Sequence, residues 1–127
     1  MTAIPASIGA ITLFVDDLAE ATAFYLAVFG LPVHYADDDS TVFRFGSTLV
    51  NLLDVRQAPE LVAPAPVADG AAGVRSQLTI EVDDVDAAVA ELQARGATIL
   101  NGPIDRPWGI RTAAFRDPSG HVWELAS

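Results

Sequence analysis

The 127 residues suffice for one hydrophobic core but not for two independent domains of ordinary size, and 51% hydrophobic content sets the chain among globular proteins. Seventeen acidic residues against seven arginines, with no lysine, give a formal charge of −10, a field that repels a nucleic-acid backbone. The lack of cysteine excludes disulfides, thiolate metal centres and cysteine nucleophiles. No basic segment precedes the N-terminal apolar stretch, and Asp16 interrupts it before it reaches membrane-spanning length, so the expectation is a cytoplasmic protein with no membrane contact.

Ile11, Leu13 and Val15 alternate with Thr12 and Phe14, which predicts a strand with two chemically different sides. Asp17 and Glu20 form the Asp-x-x-Glu pattern of a capping box, and both acids suit the positive end of a helix dipole. Leu18, Ala21, Tyr25 and Val28 then recur at helical spacing as a buried stripe that Phe24 and Phe29 widen, until Gly30 and Pro32 stop the helix. Pro32 to Ala36, Thr41 to Phe45 and Thr48 to Leu53 read as three short strands. Phe43 and Phe45 share one strand face, where they either line a hydrophobic cleft or simply pack a half-buried sheet. Asp37-Asp38-Asp39-Ser40 reads as a solvated turn, because the further oxygen ligands and flexible glycine of a calcium loop are missing. His34 has no companion at metal-ligand spacing and reads as structural.

Residues 56–73, with Pro59, Pro64, Pro66 and Asp69-Gly70, make a long irregular connection, either a plain linker or a lid over a cleft. Beyond it the pattern repeats. Leu78, Ile80 and Val82 alternate with Gln77, Thr79 and Glu81; Asp84 suits an N-cap; and Val85, Ala88, Val89 and Leu92 form an apolar helix face that ends at Gly96. Thr98 to Asn101, Thr112 to Phe115 and His121 to Leu125 supply the remaining strands. Pro103 and Pro107-Trp108-Gly109 break the path between the first two, and Asp117-Pro118-Ser119-Gly120 turns between the last two. Val15-Asp16-Asp17-Leu18 through Gly30 is thus echoed by Val82-Asp83-Asp84-Val85 through Gly96. That echo predicts two homologous modules, 8–55 and 74–127, within a single domain over 1–127, with a ligand site where the halves face one another.

These runs, together with Ala23-Phe24-Tyr25, Phe29-Gly30-Leu31 and Phe115-Arg116-Asp117-Pro118-Ser119-Gly120-His121-Val122-Trp123-Glu124-Leu125, resemble the vicinal oxygen chelate superfamily of glyoxalases, bleomycin-resistance proteins and extradiol dioxygenases over nearly the whole chain. The resemblance implies an α+β fold of paired βαβββ modules whose curved mixed sheets enclose a cleft, usually in a homodimer, and it permits exchange of modules between chains. At the positions that match the family's metal ligands the sequence has Ala10, Asn51, Gln77 and Glu124. Alanine cannot ligate through its side chain and asparagine is a weak neutral donor, so no resident metal is expected; a divalent ion held by Gln77 and Glu124 is the alternative.

Glu124 is either a strand carboxylate facing solvent or an arginine, or a cleft-facing group that binds ligand or acts as a general base. Pro107-Trp108-Gly109-Ile110-Arg111 is similar to a pattern of bleomycin-resistance-like members. Trp108 either stacks on a planar ligand or closes the end of the barrel, and Arg111 either orients a carboxylate or sulfate or pairs with an acidic neighbour. His121 follows the Asp-Pro-x-Gly turn and is expected to serve it, and Trp123 is expected to face the helices if Glu124 faces the cleft. The leading functional expectation is a metal-independent, bleomycin-resistance-like protein that binds a small aromatic or cationic molecule through Trp108, Arg111, Glu124, Gln77, Asn51, Phe43 and Phe45. The alternatives are a glyoxalase-like lyase or isomerase using Glu124 as base or metal ligand, and a non-catalytic structural or regulatory dimer.

Overall fold

The alternation and capping signals resolve into one order of elements used twice. The computed structural model describes residues 3–127. Its first half contains β1 (Ala10–Val15), α1 (Leu18–Phe29), β2 (Tyr35–Ala36), β3 (Ser40–Phe45) and β4 (Thr48–Asp54). After a short helix α2 (Ala58–Val62) the second half contains β5 (Gln77–Glu81), α3 (Val85–Ala94), β6 (Ile99–Asp105), β7 (Arg111–Arg116) and β8 (Val122–Ala126). Each half is a four-stranded mixed sheet, ordered β1-β4-β3-β2 and β5-β8-β7-β6, with the first strand parallel to the last and the other pairs antiparallel. No helix among the described residues is long and apolar enough to cross a membrane.

The two long helices, α1 and α3, start as their sequences dictate. Asp17 Oδ1 accepts the Glu20 amide at 3.0 Å and Asp84 Oδ1 accepts the Ala87 amide at 3.1 Å, satisfying donors that a helix N-terminus leaves unpaired. Gly30 ends α1 in the left-handed region, its N–H donating to the Leu26 carbonyl.

Strand register then sorts every side chain. Ile11, Leu13 and Val15 lie beside Val50, Leu52 and Asp54, and Thr41, Phe43 and Phe45 continue the same inner face against Ala21, Tyr25 and Val28 of α1. In the second sheet Leu78, Ile80, Trp123, Leu125, Ala113 and Phe115 form the inner face against Val85, Val89 and Leu92 of α3. The two inner faces meet: Phe45 stacks on Trp123 with ring centroids 5.2 Å apart, and Phe29 lies 4.9 Å from Trp123 and 5.9 Å from Phe115. One core therefore serves both halves, as the short chain requires. The outer faces turn away from it, with Thr12, Phe14, Asn51 and Val42 on the first sheet and Gln77, Thr79, Glu124 and Ala114 on the second.

Three segments depart from the expected pattern. The strand expected over Pro32 to Ala36 is only Tyr35–Ala36, because proline brings no N–H to the ladder; the His34 amide still donates to the Val42 carbonyl at 2.8 Å. The strand expected to end at Asn101 runs on to Asp105 through Pro103, absorbing the proline in register shifts against β7. Gly102 makes that path possible: at φ +84° a Cβ would stand 2.4 Å from the Thr112 carbonyl oxygen. The connection is not irregular throughout, since Val55–Gln57 and Gly70–Ala72 form single turns around α2.

Candidate functional site

Glu124 sits at the middle of β8 on the outer face, beside Thr79 of β5 and Ala114 of β7. The Thr79 hydroxyl donates to Glu124 Oε1 at 2.9 Å, which orients the carboxylate and leaves its other oxygen available. A pocket of about 600 Å³ opens there, bordered by Thr79, Glu81, Asp83, Ile110, Glu124 and Ala126. Three carboxylates thus face one opening that no arginine lines, and the ion pairs formed among the described residues engage none of them. All the lining residues belong to the second sheet and its adjoining turns.

The other expected site residues are dispersed. Gln77 lies on the same outer face as Glu124, at the start of β5 beside Val122. Asn51 occupies the outer face of the first sheet between Thr12 and Val42, with a buried Oδ1 that has no hydrogen-bond partner; Ala10 starts β1 beside Leu49. The four positions that match metal ligands in relatives therefore divide between two outer faces and offer one carboxylate and two amides. Among the described residues no three histidine, cysteine, aspartate or glutamate side chains converge on a point. This donor set does not fit a resident transition metal, which needs several well-placed donors around one centre.

Arg111 shares the parity of Ala113 and Phe115 and so points away from Glu124. Its guanidinium donates to both carboxylate oxygens of Asp86 in the first turn of α3, at 2.8 and 3.0 Å, and to Asp105 of β6 at 3.0 Å. Of the two readings open for Arg111, pairing with acidic neighbours is the one present. The hydrogen bonds to Asp86 and Asp105 raise the guanidinium pKa further, and the bond from Arg111 holds Asp86 below the usual carboxylate range. Trp108 stands 69% exposed in the turn before β7, two residues ahead of the pocket-lining Ile110. Phe43 and Phe45 do not line an outer face: Phe43 is wholly buried against Tyr25, and Phe45 lies between Phe29 and Trp123, because their parity faces α1. His34 is exposed.

His121 serves more than its turn. Its amide donates to Asp117 Oδ1 at 2.9 Å, while ring Nε2 donates to the Phe14 carbonyl at 2.8 Å and ties β8 to β1. Trp123 faces the core, and its Nε1–H donates to the Tyr25 hydroxyl at 3.0 Å, which in turn donates to Asp117 Oδ2 at 2.7 Å. Burial and the negative Asp117 beside it push the Tyr25 phenol far above its ordinary value, so it stays a neutral donor. In the sequence Asp117 reads only as a turn residue; the signal for more is an aspartate between an apolar strand and a turn, where one carboxylate oxygen caps the turn and the other is left for the core.

The sequence matches the model of the Glyoxalase/Bleomycin resistance protein/Dioxygenase superfamily over residues 7–125. The chain belongs to that superfamily. Within it, the chain is similar to the uncharacterized protein YraH of Bacillus subtilis (strain 168), 31% identical over 91% of this chain and 93% of that one. Among solved structures it resembles a glyoxalase/bleomycin resistance protein/dioxygenase from Nocardioides, with a TM-score of 0.85 at 25% identity over 98% of this chain and 85% of that one. It also resembles TnmS3, an antibiotic binding protein from Streptomyces sp. CB03234, with a TM-score of 0.72 at 27% identity over 98% and 97% of the two chains.

Proposed function

We propose that this superfamily member is a metal-independent small-molecule-binding protein of the bleomycin-resistance-like kind, sequestering an aromatic or cationic compound in the cytoplasm. The observation that carries the reading is the set of Glu81, Asp83 and Glu124 around one open pocket with no arginine among its lining. Carboxylates that share a concavity without a counter-ion attract a cation, and Ile110 and Ala126 add apolar surface beside them. Trp108 does not border the pocket, but exposed and two residues from Ile110 it offers an aromatic face to a ligand that extends beyond it. TnmS3, of the same fold, is described as binding an antibiotic.

The glyoxalase-like reading asks Glu124 to remove a proton, and the enolate so formed needs a cation or strong donors beside it. The pocket instead presents two further carboxylates, which disfavours that charge and supports binding over turnover. A homodimer belongs to the proposal. Within one chain Asn51 and Glu124 occupy different outer faces, and β1 and β5 each pair on one side only, so a second copy that covers these edges also closes the pocket into a cleft.

Metal analysis after purification in chelator-free buffer, followed by thermal-shift screening against aromatic cations and their neutral isosteres, tests the reading. Substoichiometric metal together with stabilisation by the cations is the expected result. Stoichiometric nickel, zinc, manganese or iron, or stabilisation that appears only after metal is added, would contradict it.

A further inference from the structure

The connection between the halves folds back over the end of β1 and borders a second, partly open cavity, separate from the Glu124 pocket. Gly70 is packed so closely that a Cβ would stand 2.9 Å from Asp16 Oδ2 and 3.4 Å from the Ser119 carbonyl oxygen. Ser119 Oγ in turn accepts the Asp16 amide at 3.1 Å, so connection, β1 and the β7–β8 turn form one closed corner. Behind it lies a pocket of about 400 Å³, within the size range of small-molecule sites. Phe14 and four valines, Val55, Val62, Val67 and Val74, form its apolar wall. None of the residues around Glu124 borders it.

Arg75 is the arginine at the cavity's border, beside His121, Ser76 and Ser119. Among the described residues Arg56, Arg95 and Arg111 form ion pairs and Arg106 bonds Thr112 and Asn101, whereas Arg44, Arg75 and Arg116 engage no carboxylate, and of these three only Arg75 borders the cavity. In a chain with 17 acids to 7 arginines, an arginine kept from every carboxylate at the rim of an apolar cavity is placed for an anion that the chain does not supply. Two aspartates also border the cavity. Asp69 is committed to its own turn through the Ala71 amide, and Asp16 repels a second negative charge.

We propose that this cavity binds a small organic monocarboxylate with an apolar body, its carboxylate on Arg75 and its body against Phe14 and the valines. Calorimetry on the full chain, with phenylacetate as the probe and phenylacetamide as its neutral isostere, tests it. Phenylacetate should bind at least about tenfold more tightly than the amide, and Arg75→Gln should erase that preference, since a charge-assisted hydrogen bond contributes on that scale. Val67→Trp, which fills the cavity from the connection, should abolish binding, while Arg44→Gln, removing another unpaired arginine far along the first sheet, should leave it unchanged. Phenylacetate that fails to bind, binds no better than the amide, or binds folded Arg75→Gln or Val67→Trp as tightly as the parent overturns the proposal.

Discussion

At the scale of single residues the most consequential group is the Tyr25 hydroxyl, which accepts from Trp123 and donates to Asp117 in the middle of the shared core. Its neighbours cannot turn to water: Asp117 is 2% exposed and Trp123 3%. Tyr25→Phe preserves the ring packing but strands a buried indole N–H and a carboxylate oxygen, so the variant should lose about 1–3 kcal/mol of stability in urea denaturation. A variant as stable as the parent would mean that the network is not a closed one. Sequence reading recognised Tyr25 and Trp123 as core residues from their spacing, because a 3.6-residue stripe and strand parity act through single elements. It had no access to their partnership with Asp117, since that bond joins positions 92 residues apart. The same limit applied to Arg111: its residue type suits a ligand carboxylate, and only the packing of α3 against β6 and β7 shows two internal carboxylates already in place.

At the scale of elements, caps and turns carry the architecture and also its response to acid. Asp54 closes β4 and starts the following turn: its carboxylate accepts the Arg56 amide and the Arg56 guanidinium, and these bonds hold its pKa down at about 2. A carboxyl whose pKa is lower in the folded than in the unfolded chain stabilises the fold above its unfolded value, about 3.9, and that contribution is lost as pH falls through the folded value. Melting temperatures measured from pH 6 down to pH 2 should therefore drop over the interval between about 4 and 2, and Asp54→Asn should start lower at pH 6 and fall less across it. An identical slope in the two proteins would remove Asp54 from the acid response. The two long helices α1 and α3, their N-caps and six of the eight strands are legible in the sequence because each rests on local chemistry. The short β2 and the long β6 were not: a proline signals a break, but whether a ladder stops or continues in a shifted register depends on the strand across from it. Gly102, which lets β6 pass against Thr112, reads in the sequence as an ordinary loop glycine.

At the scale of the whole molecule the repeat in the sequence showed that there are two halves, but not which faces they present to one another. The inner faces meet through Phe29, Phe45, Phe115 and Trp123, and the other faces are turned outward, with Glu124 on one and Asn51 on the other. The resemblance singles out Glu124 but not Glu81 and Asp83, which border the same pocket, although the alternation of Gln77, Thr79 and Glu81 already places Glu81 on the same strand face. Their shared charge sign is what the account rests on. The most direct test is calorimetric titration of the chelator-treated protein with an aromatic monocation such as phenethylammonium at low and high salt, in the parent and in the Glu81→Gln/Glu124→Gln variant. The account predicts saturable binding to the parent that weakens as salt rises, and affinity lower by at least about tenfold in the folded variant. Equal affinity in the two proteins, or binding indifferent to salt, would contradict it.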